Sequence, residues 1–471
     1  MRFAKSLSTT ILVVSSSFRF VLANGIELDL SNQDSIKSGA RIVADGLMNY
    51  YNGNQSGQVP GLFAGGYYWW ECGAAWGSML DYWFYTGDTT YSDVLKEALI
   101  FQVGQDWDYM PSNQTLSLGN DDQGFWGITV MAAAERNFTN PDTDQPQWLA
   151  LAQAVFNSIA LVWDTEACQG GVRWQKFVFN HGYDYKNSIS NGLLFQLGAR
   201  LARYTRNETY ADWTEKVWEW ETQIGMIDGN SYYVYDGASA NDDCTNINKI
   251  QWTYNMAVFL AGSAYMYNYT ESDVWKSRVD GLITTLTTFL YQDTNIIYEP
   301  ACEPSNACNV DQRSFKAYMS RWLGLTTQMA PYTHDTLFPV LIASATAAAA
   351  TCNGGLDGVT CGYTWLTGTY DGSFGLGEQM AALEAIQSQL IPFSVAPYTD
   401  SNGGSSPGDA SLGTHHVIVV DTKAITTKDK AGAWIVTVIV GCAVLLTTIW
   451  VGMEGDESTN PLKQWIRVND S

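Results

Sequence analysis

Between residues 24 and 400, apolar positions recur at three- and four-residue spacing, and two-residue alternation is rare. The pattern therefore predicts helices rather than strands. Start and stop residues place helices near 33–52, 69–86, 90–104, 121–136, 146–163, 186–204, 208–225, 250–268, 271–290, 312–329, 334–351 and 376–389. Short links at Thr86-Gly87-Asp88, Thr205-Arg206-Asn207 and Tyr269-Thr270 imply antiparallel helical hairpins. The segment GGYYWWECGAAWGSMLDYWFY at 65–85 is apolar almost all round, as a helix buried on both sides should be. Twelve helices in six hairpins predict an all-α (α/α)6 barrel, with an inner ring buried and an outer ring half exposed. An open solenoid is the rival; the pairs share no sequence period, which favours closure.

The two ends of the chain depart from this pattern. Arg2 and Lys5, an apolar centre at Ile11–Val14 and the small-residue end Val21-Leu22-Ala23 read as a signal peptide, 1–23, cut before Asn24. The helical domain is expected over 24–398, followed by a Gly/Ser/Thr-rich stalk over 399–430. Residues 431–453 (AGAWIVTVIVGCAVLLTTIWVGM) carry no charge over 23 positions, more than the ~20 that span a bilayer, and 454–471 form a polar tail. Small residues in SNGGSSPGDA at 401–410 suit a GPI attachment site, but the spacer exceeds the usual ~8–12 residues. A single-pass helix and a processed anchor signal both stay open. Between residues 54 and 270, five N-x-Ser/Thr sequons, at Asn54, Asn113, Asn137, Asn207 and Asn268, agree with the secretory pathway and an anchored location at the outer membrane face or wall.

Eight cysteines fit an oxidising compartment. Cys302 with Cys308 and Cys352 with Cys361 are the expected local disulfides. Cys442 lies in the apolar segment, so at least one of Cys72, Cys168 and Cys244 is left free. No C-x-x-C spacing occurs and only four His are present, so no metal site is expected. With 25 Lys plus Arg against 48 Asp plus Glu, the net charge of −23 excludes nucleic acid as the main partner. A neutral ligand such as a carbohydrate is compatible with it. The 19 Trp and 26 Tyr tilt the same way, since flat rings stack on sugar faces as well as filling cores.

The segment Gly119-Asn120-Asp121-Asp122-Gln123-Gly124-Phe125-Trp126-Gly127 carries the candidate chemistry. Asn120 with Gln123 reads as a capping box, with Asn120 at the N-cap and both aspartates in the first turn. Helix capping explains one acid; the second adds like-charge repulsion. Glycoside cleavage needs one ionised carboxyl and one protonated carboxyl. Neighbouring helical side chains diverge by about 100°, enough for the ~5–5.5 Å separation of a retaining enzyme. The dipole and free N–H groups favour ionisation of one acid, and repulsion keeps the other protonated. Asn241-Asp242-Asp243, in a Gly/Ser/Asp-rich loop, reads instead as a solvated turn.

Four segments, in this order, carry a family resemblance: GNDDQGFWG at 119–127, YKNSISNGLLFQLGARLARYT at 185–205, WTYNMAVFLAG at 252–262 and RSFKAYMSRWLG at 313–324. Over about residues 30–395 the chain resembles glycoside hydrolase family 76, the endo-α-1,6-mannanases, in its fungal cell-wall branch. The resemblance implies an (α/α)6 barrel, a retaining mechanism with Asp121 as nucleophile and Asp122 as general acid/base, and no cofactor. It implies α-1,6-mannan or the mannose core of a GPI anchor as substrate, with wall glucan as a possible acceptor if the enzyme transfers rather than hydrolyses. The enzyme is expected to be a monomer.

Further candidates follow from the motifs. Asn191 and Asn255 each stand near an inner-helix start and read either as sugar ligands or as satisfied buried amides. Trp69, Trp70, Trp126 and Tyr254 are candidates to stack on mannose, with core packing the alternative. Lys316 reads either as a cavity residue or as a surface or capping residue. Two other readings of the whole chain are an unsaturated-uronide hydrolase, which should present more basic residues in these motifs, and a non-catalytic carbohydrate-binding wall scaffold, which has no need of adjacent acids.

Overall fold

The computed structural model describes residues 25–414 and 427–454. The expected signal peptide and most of the polar tail lie outside them. The chain divides into two units, Met1–Val417 and Ile418–Ser471.

The first unit is mostly helical, and its helices match the apolar pattern. They are α1 (Gln33–Met48), α2 (Trp69–Thr86), α3 (Ser92–Phe101), α4 (Asn120–Glu135), α5 (Trp148–Ala160) and α6 (Ser188–Thr205). There follow α7 (Glu208–Gln223), α8 (Thr253–Thr270), α9 (Asp273–Thr284), α10 (Phe315–Met329), α11 (His334–Thr351) and α12 (Leu376–Gln387). Asn32, Asn187, Asn207 and Ser272 accept backbone N–H groups at helix starts; the predicted starts at 33 and 208 match, and those at 186 and 271 lie two residues early.

Even-numbered helices pack in order, α2 on α4, α4 on α6, α6 on α8, α8 on α10 and α10 on α12, and α12 returns to α2. The odd helices lie outside this closed ring: α3 on α2, α5 on α4, α7 on α6, α9 on α8 and α11 on α10 and α12. The last position is filled from the other end of the chain, because α1 packs on α12. Burial follows the layers. Every residue of α12 and every residue of α4 except Asp122 is buried. The outer helix α9 buries only Trp275, Val279 and Leu282.

Ion pairs inside the ring join its helices toward their C-terminal halves. Arg321 of α10 reaches Asp81 of α2 at 3.1 Å and Glu384 of α12 at 2.6 Å, Arg136 pairs with the same Asp81, and Arg200 of α6 meets Glu135 of α4 at 2.6 Å. Three guanidinium and three carboxylate groups balance there, which is how charges persist in a buried place.

Two small antiparallel sheets dress the loops. β1 (Tyr185–Asn187), β2 (Gly237–Ser239) and β3 (Ile247–Asn248) pair in that order, with Lys186 opposite Ala238; β4 (Cys352–Gly354) pairs with β5 (Thr360–Cys361). Disulfides Cys302–Cys308 and Cys352–Cys361 form as expected, Cys168 joins Cys244, and Cys72 is the buried free thiol. Residues 399–414, expected to be stalk, are bonded to the helical domain instead. Asn137 donates to the Gly403 carbonyl, Ser406 Oγ accepts from Leu149 N, and Asn157 holds the Ala410 and Leu412 carbonyls. Glycine and serine leave this backbone free to follow the helix ends.

Among the described residues the second unit holds one helix, α13 (Thr427–Glu454). Its stretch Lys430–Trp450 has a mean hydropathy of 2.2 and is long and apolar enough to cross a membrane.

Candidate active site

A cavity of about 580 Å³ opens at the N-terminal ends of α2, α4, α6, α8 and α10. Trp69 and Trp70 of α2, Asp121 and Asp122 of α4, Ile189 of α6, Tyr254 of α8 and Phe315 of α10 all reach it from their first turns. Several helix dipoles therefore present their positive ends to one space. Trp174 and Tyr185 close one side, and Tyr254 stacks on Phe315 at 3.8 Å between ring centroids. Aromatic faces thus surround a carboxylate floor.

The start of α4 is set one residue earlier than the sequence suggests. Gly119 is the N-cap, and only the backward half of a capping box forms, Asp122 Oδ2 accepting the Gly119 N–H at 2.6 Å. Asn120 spends its side chain on the Arg173 carbonyl and its N–H on the Trp174 carbonyl. Glycine is needed at 119 by space: a Cβ there would stand 2.3 Å from Asp121 Oδ1 and 3.0 Å from the Trp174 carbonyl oxygen.

Asp121 is buried, and both its oxygens accept hydrogen bonds, Oδ1 from Asp122 N at 3.0 Å and Oδ2 from Asn187 Nδ2 at 3.2 Å. These bonds favour the carboxylate, but burial outweighs them and pushes Asp121 up to about 7. Asp122 is raised well above the usual range by burial and then by the charge of Asp121; the Gly119 N–H opposes this without reversing it. Asp121 thus accepts two hydrogen bonds as a carboxylate and Asp122 one, so the surroundings favour ionisation of Asp121. Two more carboxyls line the same cavity. Asp311 is pushed to about 6 by burial, and Asp236, raised by burial, accepts from Tyr185 Oη at 2.6 Å and Trp252 Nε1 at 2.9 Å.

The structure brings Asp121, Asp122, Trp69, Trp70 and Tyr254 together on the cavity wall. It places four other candidates elsewhere. Trp126 is fully buried behind Trp69, stacked between Trp69 and Tyr109, and its Nε1 donates to the Trp69 carbonyl at 3.2 Å. Asn191 is spent on the backbone, taking the Val172 N–H and donating to the Val172 and Asn187 carbonyls. Asn255 is fully buried, because Tyr254 takes the cavity-facing position and the next side chain points about 100° away. Lys316 is buried in a separate cage, with Glu303 at 3.2 Å, the Tyr363 carbonyl at 2.6 Å and the rings of Tyr363 and Trp365 over its ammonium.

Sequence reasoning missed Asn187, Asp236, Asp311 and Trp174. Asn187 had a signal, since it precedes the Ser188-Ile189-Ser190 helix start and caps α6 through Ser190 N at 3.3 Å. Asp311 stands two residues before the fourth motif.

A closed ring of helices with unequally hydrogen-bonded neighbouring carboxyls in an aromatic cavity defines an enzyme that cleaves glycosides. The model of glycosyl hydrolase family 76 matches residues 35–401, and the chain belongs to that family of glycoside hydrolases. It is 52% identical to mannan endo-1,6-alpha-mannosidase DCW1 of Saccharomyces cerevisiae, over 91% of this chain and 95% of that one. It is 50% identical to putative mannan endo-1,6-alpha-mannosidase C970.02 of Schizosaccharomyces pombe, over 87% and 92% of the two chains. The crystal structure of Dfg5 from Chaetomium thermophilum in complex with glucosamine is similar over 82% of this chain and 97% of that one, with a TM-score of 0.79 and 45% identity.

Proposed function

We propose that this chain cleaves α-1,6-mannosidic linkages with retention, Asp121 attacking the anomeric carbon and Asp122 serving as acid and then base. The observation that carries the roles is the unequal hydrogen bonding of the pair: Asp121 accepts from Asn187 Nδ2 and the Asp122 N–H, which favours its carboxylate, whereas Asp122 accepts from the Gly119 N–H. Asp122, alone in α4, keeps part of its surface open on the cavity wall and so can meet the leaving oxygen. The names of the relatives support α-1,6-mannan as the substrate. The closed ring, with α1 completing the sixth pair against α12, supports an (α/α)6 barrel. The apolar helix α13 and the signal-like N-terminus support a secreted, membrane-anchored enzyme at the cell wall.

A covalent mannosyl-enzyme can be resolved by water or by another sugar's hydroxyl. Anchoring beside the membrane favours the mannose core of GPI-linked glycoproteins as donor and wall glucan as acceptor. Incubation of the purified protein with α-1,6-mannotetraose, with and without β-1,3-glucan oligosaccharides, tests both. The expected first product is the α-anomer by NMR, and Asp121→Asn or Asp122→Asn lowers kcat/KM by about 10²–10⁴-fold. Inverted product, or full activity in either variant, refutes the assignment. A mannosyl-glucan product selects transfer.

A further inference from the structure

Helix α8 begins without a cap of its own. Its N-cap is Trp252, whose indole is a donor only, so the first N–H groups need an acceptor from elsewhere. Glu299 supplies one from 46 residues further along the chain. Its carboxyl accepts Thr253 N at 3.2 Å and Thr253 Oγ1 at 2.7 Å, and both residues are fully buried. The carbonyl oxygen of a carboxyl accepts in either protonation state, so the contact holds although burial pushes Glu299 up to about 8. Glu299 is itself held. Its N–H donates to Glu303 Oε2 at 2.9 Å, and the same oxygen pairs with Lys316 Nζ at 3.2 Å. The Cys302–Cys308 disulfide closes the loop that carries Glu303, and Trp252 packs against that bridge. Glu299, Glu303 and Lys316 thus link the start of α8 to the start of α10.

Those two helix starts carry one wall of the cavity. Tyr254 follows Thr253, Phe315 precedes Lys316, and both rings line the cavity while stacking at 3.8 Å with planes 10° apart. Trp252, on the other side of Thr253, stands edge-on to Phe315 at 5.6 Å. Its Nε1 donates at 2.9 Å to Asp236 Oδ1, and Asp236 lines the same cavity. Glu299 and Lys316 are fully buried and do not line it. Residues 252–254 therefore set an aromatic face and a carboxyl on the wall, and Glu299 grips the middle one of the three.

We propose that Glu299 is a positioning residue for glycan binding. By fixing Thr253 it sets the Tyr254 ring flat on Phe315 and aims Trp252 at Asp236, and Lys316 holds it in place through Glu303. The inference rests on the reading of this cavity as the mannoside site. A ring already stacked on its neighbour offers a fixed face to a pyranose, so binding does not have to order it. The effect falls on affinity rather than on bond cleavage, because Asp121 and Asp122 take their hydrogen bonds from Asn187 and from the backbone around the start of α4, not from α8.

The test compares the full-length protein with Glu299→Ala, Glu299→Gln, Thr253→Val and the double variant Glu299→Ala/Thr253→Val. Glu299→Ala should raise KM for α-1,6-mannotetraose about tenfold, with kcat within about threefold of wild type. Glu299→Gln keeps a carbonyl oxygen for Thr253 and should restore KM. Thr253→Val removes only the hydroxyl half of the grip and should raise KM about threefold, which keeps the test open if Glu299→Ala does not fold. The double variant should match Glu299→Ala alone, because both changes break one contact. Crystal structures of Glu299→Ala and Thr253→Val follow the wall without any substrate, and the Tyr254 and Phe315 centroids should separate to about 5 Å or more. Lower stability with an unmoved Tyr254 ring and unchanged KM in the folded variants overturns the proposal. A displaced ring in a protein that cleaves no α-1,6-mannoside, wild type included, upholds the hold of Glu299 on the wall and refutes the substrate reading instead.

Discussion

Asn187 Nδ2 donates to Asp121 Oδ2 over 3.2 Å, while its Oδ1 accepts the Ser190 N–H at 3.3 Å. One side chain thus caps α6 and orients a carboxylate on α4, 66 residues earlier in the chain. The two tasks separate experimentally. Asn187→Ala removes a cap, costing about 1 kcal/mol of stability. It also removes a hydrogen bond to a charged group, of about 1.5–3 kcal/mol, so kcat/KM should fall by about 10- to 100-fold. Because that bond lowers Asp121, its loss should also move the acid limb of the pH profile upward. Steady-state kinetics across pH, beside a thermal melt, measures both effects.

Burial raises Asp121 to about 7 and Asp122 well above the usual carboxylate range, so the folded protein binds protons there that the unfolded chain has released. Stability from this source is fully present below about pH 4 and is lost as pH rises through 7. Activity runs the other way on its acid limb, since Asp121 must be ionised: kcat/KM should fall about tenfold per unit below pH 7. The variant Asp121→Asn/Asp122→Asn should therefore melt higher than wild type at pH 8, with the gap closing toward pH 4. Calorimetry at the two pH values decides it; a gap independent of pH would contradict the burial account.

Trp70 and Trp126 offer a paired comparison. Trp70 lines the cavity, half-buried against Phe125 at 4.7 Å, whereas Trp126 is fully enclosed behind Trp69. Trp70→Ala should raise KM about tenfold through lost stacking, with a small change in melting temperature. Trp126→Ala should cost about 3–5 kcal/mol of stability and leave the KM of the surviving folded enzyme near wild type. Kinetics on folded protein and urea unfolding together distinguish the two.

The twelve helices were legible because caps and apolar faces are local properties of the chain. The pair Asp121 and Asp122 was legible for the same reason. The exact cap was not: the sequence rule looks for a side chain at the N-cap, and Gly119 has none, so Asn120 with Gln123 was the nearer match. Asp236 and Asp311 were hidden because ring closure, not spacing along the chain, brings them to α4. Lys316 and Asn191 misled because a polar residue in an inner helix can serve either the cavity or a buried cage. Only the positions of Glu303 with Tyr363, and of Val172, decide between these.

The link Cys168–Cys244 closes 76 residues of chain and bears on the site through Lys186. Lys186 is fully buried, and its Nζ donates to the carbonyls of Asp164, Ala167 and Gly170 at 3.0, 2.7 and 2.6 Å. The loop carrying Cys168 is thereby wrapped on β1, and Cys244 fastens it to the β2–β3 hairpin, where Cys244 N meets the Ser239 carbonyl. Asn187, the partner of Asp121, is the last residue of β1. Cys168→Ala/Cys244→Ala should therefore lower stability by about 2–4 kcal/mol and also reduce kcat/KM, though less than Asn187→Ala does. Combining the two sets of changes should give less than the product of their separate effects on kcat/KM, because both act on Asp121 through one side chain. Full multiplicativity would mean that the disulfide influences catalysis by a route other than Asn187.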